Sequence, residues 1–350
     1  MNKILIISTK IGGINTITAS IKENLCKKGD QVEVIYFEEC TNALFLDLIT
    51  NWYLKKIPSK IRLWKLVYEN AWIYQPFFKI VKFLFPSPKV IYPRAFEIVS
   101  RVRFNHIIVT SFYPSFIAEH LVEYFNLNCK THAILSNFDF PEIWSKKMDY
   151  YYLPNREIAP IGIANGYEEK KFVYQNIPIH EIHMTSRVEE DDKKVVLFTG
   201  GSLGLGISIE KVKIALSQGH RVVVICGEND ALFESLSQVK SNCLNIYKSV
   251  DLQKMHELYS QSICVITKAG TLTLAEAAAN RIPIVLSSFL DGHEQKNAYF
   301  LVKKRACLIG IEVSQFKSSM TEVVNRRAIN KMLDNAYNLF FNNHHINLKI

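Results

Sequence analysis

The chain has 350 residues, 48% of them hydrophobic and 21% charged, with 42 Lys and Arg against 33 Asp and Glu. That length favours two domains, and the composition is that of a globular protein able to bury proper cores, which excludes the disordered and fibrous classes. A formal charge of +9 favours anionic partners without choosing among nucleic acid, acidic lipid and phosphorylated small molecules.

The seven cysteines are scattered and include no C-x-x-C pair, so neither a disulfide framework nor a zinc site is indicated and a reducing cytoplasm fits. No apolar run reaches the roughly 20 residues needed to span a bilayer. The opening MNKILIIS is too short for a signal-peptide core and reads as a first strand.

In chain order, residues 3–8 form that strand, Gly12 and Gly13 a turn, the following residues a helix to about Lys28 with Gly29 as C-cap, and Val32 to Phe37 a second strand. This βαβ opening predicts a parallel sheet. The Gly12–Gly13 turn sits at the carboxyl end of strand one, where open α/β sheets bind ligands. It reads equally as a tight turn that binds nothing.

Residues 45–94 differ in character. Trp52, Tyr53, Trp64, Tyr68, Trp72, Tyr74, Phe77, Phe78, Phe83 and Phe85 alternate with Lys55, Lys56, Lys60, Arg62, Lys65, Lys79, Lys82, Lys89 and Arg94, while Asp47 and Glu69 are nearly the only acids. Basic helices carrying aromatic rings suit an anionic membrane surface. The alternative is that the rings face the core and the lysines form a solvated face. No nucleic-acid module accompanies the charge, so nucleic acid is not expected as a partner.

From His106 the strand pattern returns: HIIVTSF is a strand, Pro114 to Phe125 a helix, Thr131 to Leu135 a strand ending in SNFDFPEIW, and Tyr150 to Leu153 a short strand. Residues 156–172 are expected to be helical. Residues 186–193 are charged, without apolar periodicity, and read as the linker. The second half opens with VVLFTGGSLGLG, in which Gly200, Gly201, Gly204 and Gly206 supply a glycine loop before a helix that ends near Gly219. RVVVICG is a strand, and then come a helix from Asp230, a strand over Leu244 to Tyr247 and a helix near Leu252 to Tyr259.

The stretch 263–298 carries the chemistry. It reads as a buried strand over Ile263 to Thr267, a turn at Lys268, Ala269 and Gly270, a helix opening at Thr271 to Thr273, a strand over Ile284 to Ser287, and a polar loop entering another helix. A Gly-containing loop opening a helix aims backbone N–H groups and the positive end of the helix dipole at one point, which suits a phosphate. Glu276, early in that helix, can turn its carboxylate toward the hydroxyls of whatever carries the phosphate, and a nucleotide is the natural candidate. Two such loops at one sheet edge can hold a diphosphate between them.

TGGSLGLG, VVVICGEND, ITKAGTLTLAEAAANRIPIVL and DGHEQKNA together resemble the bacterial diacylglycerol glucosyltransferases and plant monogalactosyldiacylglycerol synthases, and more distantly the lipid-intermediate N-acetylglucosaminyltransferase of peptidoglycan synthesis. SNFDFPEIWSKKMDYYYLPN and NIPI extend the resemblance into the first half. It implies the α/β GT-B fold, two Rossmann-like domains facing across a cleft: 1–185 for the acceptor, 190–330 for a nucleotide sugar, and a helical tail over 331–350 packing back on the first domain. It also implies Gly200, Gly201 and Ser202 near the donor phosphates, Gly227 and Val250 beside the base, and Gly270, Thr271 and Thr273 on the diphosphate. Glu276 would bind the ribose, and His293, Glu294, Gln295 and Asn297 would lie near the sugar.

Three positions depart from that family: Ile14 stands where relatives carry a histidine after the first strand, and Asn137 and Pro141 replace an aspartate and a histidine. Asp139 and Glu142 lie in the same loop and are the candidate bases, since general-base catalysis needs a basic group within reach of the acceptor hydroxyl. The expected reaction is inverting transfer of a hexose from a nucleotide sugar, by family preference a UDP-sugar, to a lipid such as diacylglycerol. No D-x-D pair occurs, which agrees with a metal-independent enzyme without a cofactor. The expected place is the cytoplasmic side, peripheral on an anionic membrane. A soluble acceptor and a non-catalytic nucleotide-sugar-binding subunit are the alternatives.

Overall fold

The computed structural model describes residues 1–42, 70, 74–184, 195–324 and 326–342. The expected linker at 186–193 and most of the basic aromatic stretch, 45–69 and 71–73, lie outside the described residues. Two compact units result, Met1–Pro178 and Ile179–Asn342.

The first unit is built on a six-stranded sheet, all of whose recorded pairings are parallel: β1 (Lys3–Ser8), β2 (Gln31–Tyr36), β3 (His106–Val109), β4 (Lys130–Ile134), β5 (Tyr150–Leu153) and β6 (Phe172–Tyr174), in spatial order β2-β1-β3-β4-β5-β6. β1 and β3 are continuous apolar runs because a parallel sheet covered on both faces leaves no solvent side for alternation. Helix α1 (Gly12–Lys27) packs on β1 and β2. Short α2 (Phe37–Cys40) follows β2 directly, so that strand ends a residue earlier than expected.

Helix α3 (Tyr74–Leu84) buries Phe78 and Val81, with Phe78 stacked 3.9 Å from Phe116. The core reading of the aromatic stretch thus holds for Phe78. It fails for Phe83, which is 85% exposed. Helices α4 (Pro88–Ile91), α5 (Pro93–Arg101) and α6 (Phe112–Phe125) complete this side.

The helix expected over 156–172 is broken. A 3-10 turn (Arg156–Ile158) leads into α7 (Ala159–Ala164), which stops at Asn165 and Gly166, the glycine being left-handed at φ +81°. Phe172, Val173 and Tyr174 then take the free edge of β5 as β6, a use of β-branched and aromatic residues that tertiary pairing favours over a short helix. Phe140 fills the space beneath, stacked 4.1 Å from Tyr167.

The second unit has a second six-stranded sheet with parallel pairings throughout, in order β12-β11-β10-β7-β8-β9: β7 (Val195–Thr199), β8 (Arg221–Ile225), β9 (Leu244–Tyr247), β10 (Ser262–Lys268), β11 (Ile284–Ser288) and β12 (Leu308–Ile309). Its helices are α8 (Ile209–Ser217), α9 (Asp230–Ser237), α10 (Leu252–Ser260), α11 (Thr271–Ala279), α12 (His293–Lys303), α13 (Val313–Val324) and α14 (Arg326–Phe341). Phe198, Ile266, Val285 and Phe316 centre the core. The helix covering the anticipated 331–350 tail starts earlier, at Arg326, and packs against α11 and α13 of the second unit; residues 343–350 lie outside the described residues.

Candidate functional site

Strand order decides which loops meet. β10 lies between β7 and β11, with β8 beyond β7, so the loops leaving the carboxyl ends of these four parallel strands are neighbours on one edge. The glycine loop after β7 folds tightly: the N–H groups of Gly204 and Leu205 donate back to the carbonyls of Gly201 and Gly200 at 3.0 and 3.2 Å. Gly227, after β8, lies against it. A Cβ there would stand 2.2 Å from the Ser202 carbonyl oxygen, and φ is +60°, so only glycine fits.

Gly270 is the N-cap of α11, with extended backbone and no side chain closing the helix end. N–H groups at such an end have no partner within the helix. Lys268, the last residue of β10, passes both loops: its Cε is 3.5 Å from the Cβ position of Gly201, and its Nζ 3.2 Å from that of Gly270. Nζ is ion-paired with Glu294 of α12, their side chains being 16% and 3% exposed.

Glu294 also accepts the Leu290 N–H at 2.9 Å, and the amide of buried Asn297 donates to the Ala269 carbonyl at 3.1 Å. Two residues of DGHEQKNA therefore hold the Lys268–Gly270 turn in place. Gln295 is exposed and His293 half-buried at the start of α12. Val250 is half-buried beside Asp251, whose carboxylate caps α10 by accepting the Lys254 N–H at 2.7 Å.

Thr271 is buried and Thr273 half-buried on the first turn of α11. Glu276, on the same helix, is 6% exposed and turned inward. Its Oε2 accepts the Tyr259 hydroxyl at 2.9 Å, and its Oε1 stands 3.7 Å from Nε2 of His183 in a 3-10 turn (Glu181–Met184). Burial pushes the Glu276 carboxyl up to about 7, against the pull of the Tyr259 bond. Burial, with His256 and His180 nearby, pushes His183 down to about 4. Buried Lys211 of α8 donates to the carbonyls of Ser287 and Ile311 at 3.3 and 2.6 Å, which ties the end of β11 to the chain after β12; burial lowers its pKa.

Sequence reasoning did not single out Lys268, Tyr259, His183 or Lys211. The signal available for Lys268 was its place as the last residue of a strand before a Gly-opened helix. Tyr259 and His183 come from other elements, and no local pattern marks them.

In the first unit, Gly12 (φ +53°) and Gly13 open α1 at the carboxyl end of β1. The loop is fixed by Glu38, which accepts the Lys10 N–H and the Thr9 hydroxyl, and Ile14 offers only its carbonyl, to Thr18 at 2.8 Å. β3 separates β1 from β4, so the 136–145 loop after β4 lies on the same sheet edge. Asp139 there is 7% exposed, and its Oδ1 accepts the Phe140 N–H at 2.9 Å. Glu142 is paired with Lys146 at 2.6 Å. Tyr167 clasps this loop, its hydroxyl donating toward the Pro141 and Trp144 carbonyls at 3.1 Å and accepting the Trp144 N–H. The structure thus gathers the expected donor residues on one edge of the second sheet, and Gly12, Gly13, Asp139 and Glu142 on one edge of the first.

Residues 195–343 match the glycosyltransferase family 28 C-terminal domain. The processive diacylglycerol beta-glucosyltransferase of Bacillus mycoides (strain KBAB4) is 28% identical over 217 residues, 58% of this chain and 55% of the relative. The uncharacterized glycosyltransferase YkoN of Bacillus subtilis (strain 168) is 25% identical over 200 residues, 55% and 53% of the two chains. The chain spans about half the length of the curated relatives it matches.

Among solved structures, Acinetobacter baumannii MurG covers 96% of this chain and 95% of its own at a TM-score of 0.61 and 15% identity. S. aureus MnaA, solved with UDP, covers 97% and 93% at 0.64 and 13%. A glycosyltransferase of kitacinnamycin covers 97% and 95% at 0.63 and 12%, and these likenesses establish the GT-B fold. Over residues 195–343 the second unit of this chain is similar to the glycosyltransferase family 28 C-terminal domain.

Proposed function

We propose that the chain transfers a hexose from a UDP-sugar to a lipid acceptor such as diacylglycerol, with inversion and without a metal ion. The observation that carries this reading is the convergence of Gly201, Lys268 and the uncapped start of α11 at one point of the sheet edge. A departing diphosphate gathers negative charge as the acceptor hydroxyl attacks the anomeric carbon from the opposite face. Backbone N–H groups, a helix dipole and a lysine aimed at that charge stabilise it where a divalent ion acts in other enzymes. Asp139 is the proposed base, set in the loop after β4 on the same sheet edge as Gly12 and Gly13.

The lipid acceptor is supported by the similarity to the diacylglycerol beta-glucosyltransferase of Bacillus mycoides. It is supported also by α3, the turn after it and α4, where Ile80, Phe83, Leu84, Phe85 and Val90 are exposed beside exposed Lys79 and Lys89. Apolar side chains flanked by cations suit the surface of an anionic bilayer. No described helix is long and apolar enough to cross a membrane. The changed residues Ile14, Asn137 and Pro141 favour a second reading, the same donor chemistry on a soluble acceptor. Incubation with UDP-glucose, UDP-galactose or UDP-N-acetylglucosamine and diacylglycerol vesicles tests the first: glycolipid from one donor is expected, and donor hydrolysis without glycolipid would move the reading to the second.

A further inference from the structure

Beneath the start of α11 lies a buried acid facing a buried imidazole. The side chain of His183 is 0% exposed, and neither ring nitrogen has a hydrogen-bond partner among the described residues. A buried imidazole without partners costs stability, so its retention beside a carboxyl calls for a reason. The other groups facing the pair are Tyr259 and His256 from α10, with ring centroids 5.5 and 5.8 Å from that of His183, and His180 from the preceding segment. From α14, which also packs on α11, Asp334 is engaged at the surface with Arg281. No Lys or Arg is recorded as neutralising Glu276 among the described residues.

We propose that His183 is the positioning residue that accepts the Glu276 proton when Glu276 takes up the ribose hydroxyls of the donor. This rests on the donor reading above. Without ligand the pair is a carboxyl and a neutral imidazole, the forms that burial favours on each side. A ribose diol offers two O–H donors, which an ionised carboxylate accepts better than a carboxyl. The carboxyl O–H bond breaks as an N–H bond forms at Nε2, giving carboxylate and imidazolium.

No charge is created overall, and each new charge has its opposite beside it, which offsets the cost of burial. Closing 3.7 Å to hydrogen-bond length takes a movement of under about 1 Å. The Tyr259 hydroxyl, already on Oε2, keeps the carboxylate oriented during the transfer.

The test is UDP-glucose binding as a function of pH, because its diphosphate carries no group that titrates near neutrality. With His183 the proton stays inside, so wild-type affinity is flat between about pH 5.5 and 7 and calorimetry in buffers of different ionisation enthalpy finds no proton released. In His183→Gln the proton must leave to solvent, and affinity falls about tenfold per pH unit below about 7. Replacing Glu276 by Gln in the His183→Gln background abolishes that slope. Superimposable wild-type and His183→Gln profiles would overturn the proposal, as would a folded His183→Gln protein that binds nothing at pH 8, which would mark a structural role. Should His183→Gln not fold, the wild-type calorimetry decides, since proton release below pH 7 overturns the idea. A wild-type chain that binds no UDP-sugar at any pH overturns the donor reading itself.

Discussion

Replacing Lys268 by Met keeps the length of the side chain and removes its charge. The change leaves Glu294, whose side chain is 3% exposed, as a buried carboxylate that keeps the Leu290 N–H and loses its cation. Breaking a buried pair by removing one partner costs about 3–5 kcal/mol, because the remaining charge stays uncompensated. For a unit the size of Ile179–Asn342, 1 kcal/mol moves the melting temperature by about 2–4 °C, so the variant should melt roughly 6–20 °C lower. The double variant Lys268→Met/Glu294→Gln removes the stranded charge and should recover most of that loss. Nucleotide binding should not recover with it, since the cation beside Gly201 and Gly270 is still missing. Calorimetric melting of the single and double variants, followed by UDP titration of each at a temperature where it is folded, checks both halves. A single variant that melts with the wild type, or a double variant that binds UDP normally, would refute the reasoning.

Three further outcomes follow from the geometry. Gly227→Ala places a Cβ against the Ser202 carbonyl at a positive φ, and should cost about 1–3 kcal/mol in urea unfolding and displace the glycine loop enough to weaken UDP binding. The raised Glu276 pKa contributes stability that is complete below the ordinary carboxyl range and lost as pH rises through about 7, an effect of about 3 kcal/mol; Glu276→Gln removes it, so unfolding from pH 4 to 8 should show a smaller decline in the variant. Phe83→Glu, at a side chain 85% exposed, should leave the melting temperature unchanged and abolish co-flotation with anionic vesicles; flotation equal to wild type would remove α3 from the membrane reading.

Strand positions were legible because the parallel sheets draw on apolar runs such as KILIIS and VVLFT, bounded by glycines at the turns. The turn after β10 was legible for a similar reason: Gly270 reads as a break between a strand and a helix, and it is the N-cap of α11. The segment 156–172 was not, since its helical composition competes with an open edge on β5 that only the folded sheet supplies. The inward set of Glu276 was equally hidden. It depends on Tyr259 and His183, which approach through α10 and a 3-10 turn far away in sequence. Glu294 and Asn297 brace the turn through their bonds to Lys268 and Ala269, a use that spacing along the chain does not reveal.

The central claim is that the second unit holds a nucleotide sugar by its diphosphate at Gly201, Lys268 and Gly270 while Asp139 activates the acceptor. Transfer from labelled UDP-hexose to diacylglycerol vesicles, run with UDP titration on wild type and Asp139→Asn, tests it most directly. The account predicts saturable UDP binding by both proteins and a loss of about 10²–10⁴-fold in transfer for the variant alone. Absence of UDP binding by the wild type, or undiminished transfer by Asp139→Asn, would contradict it.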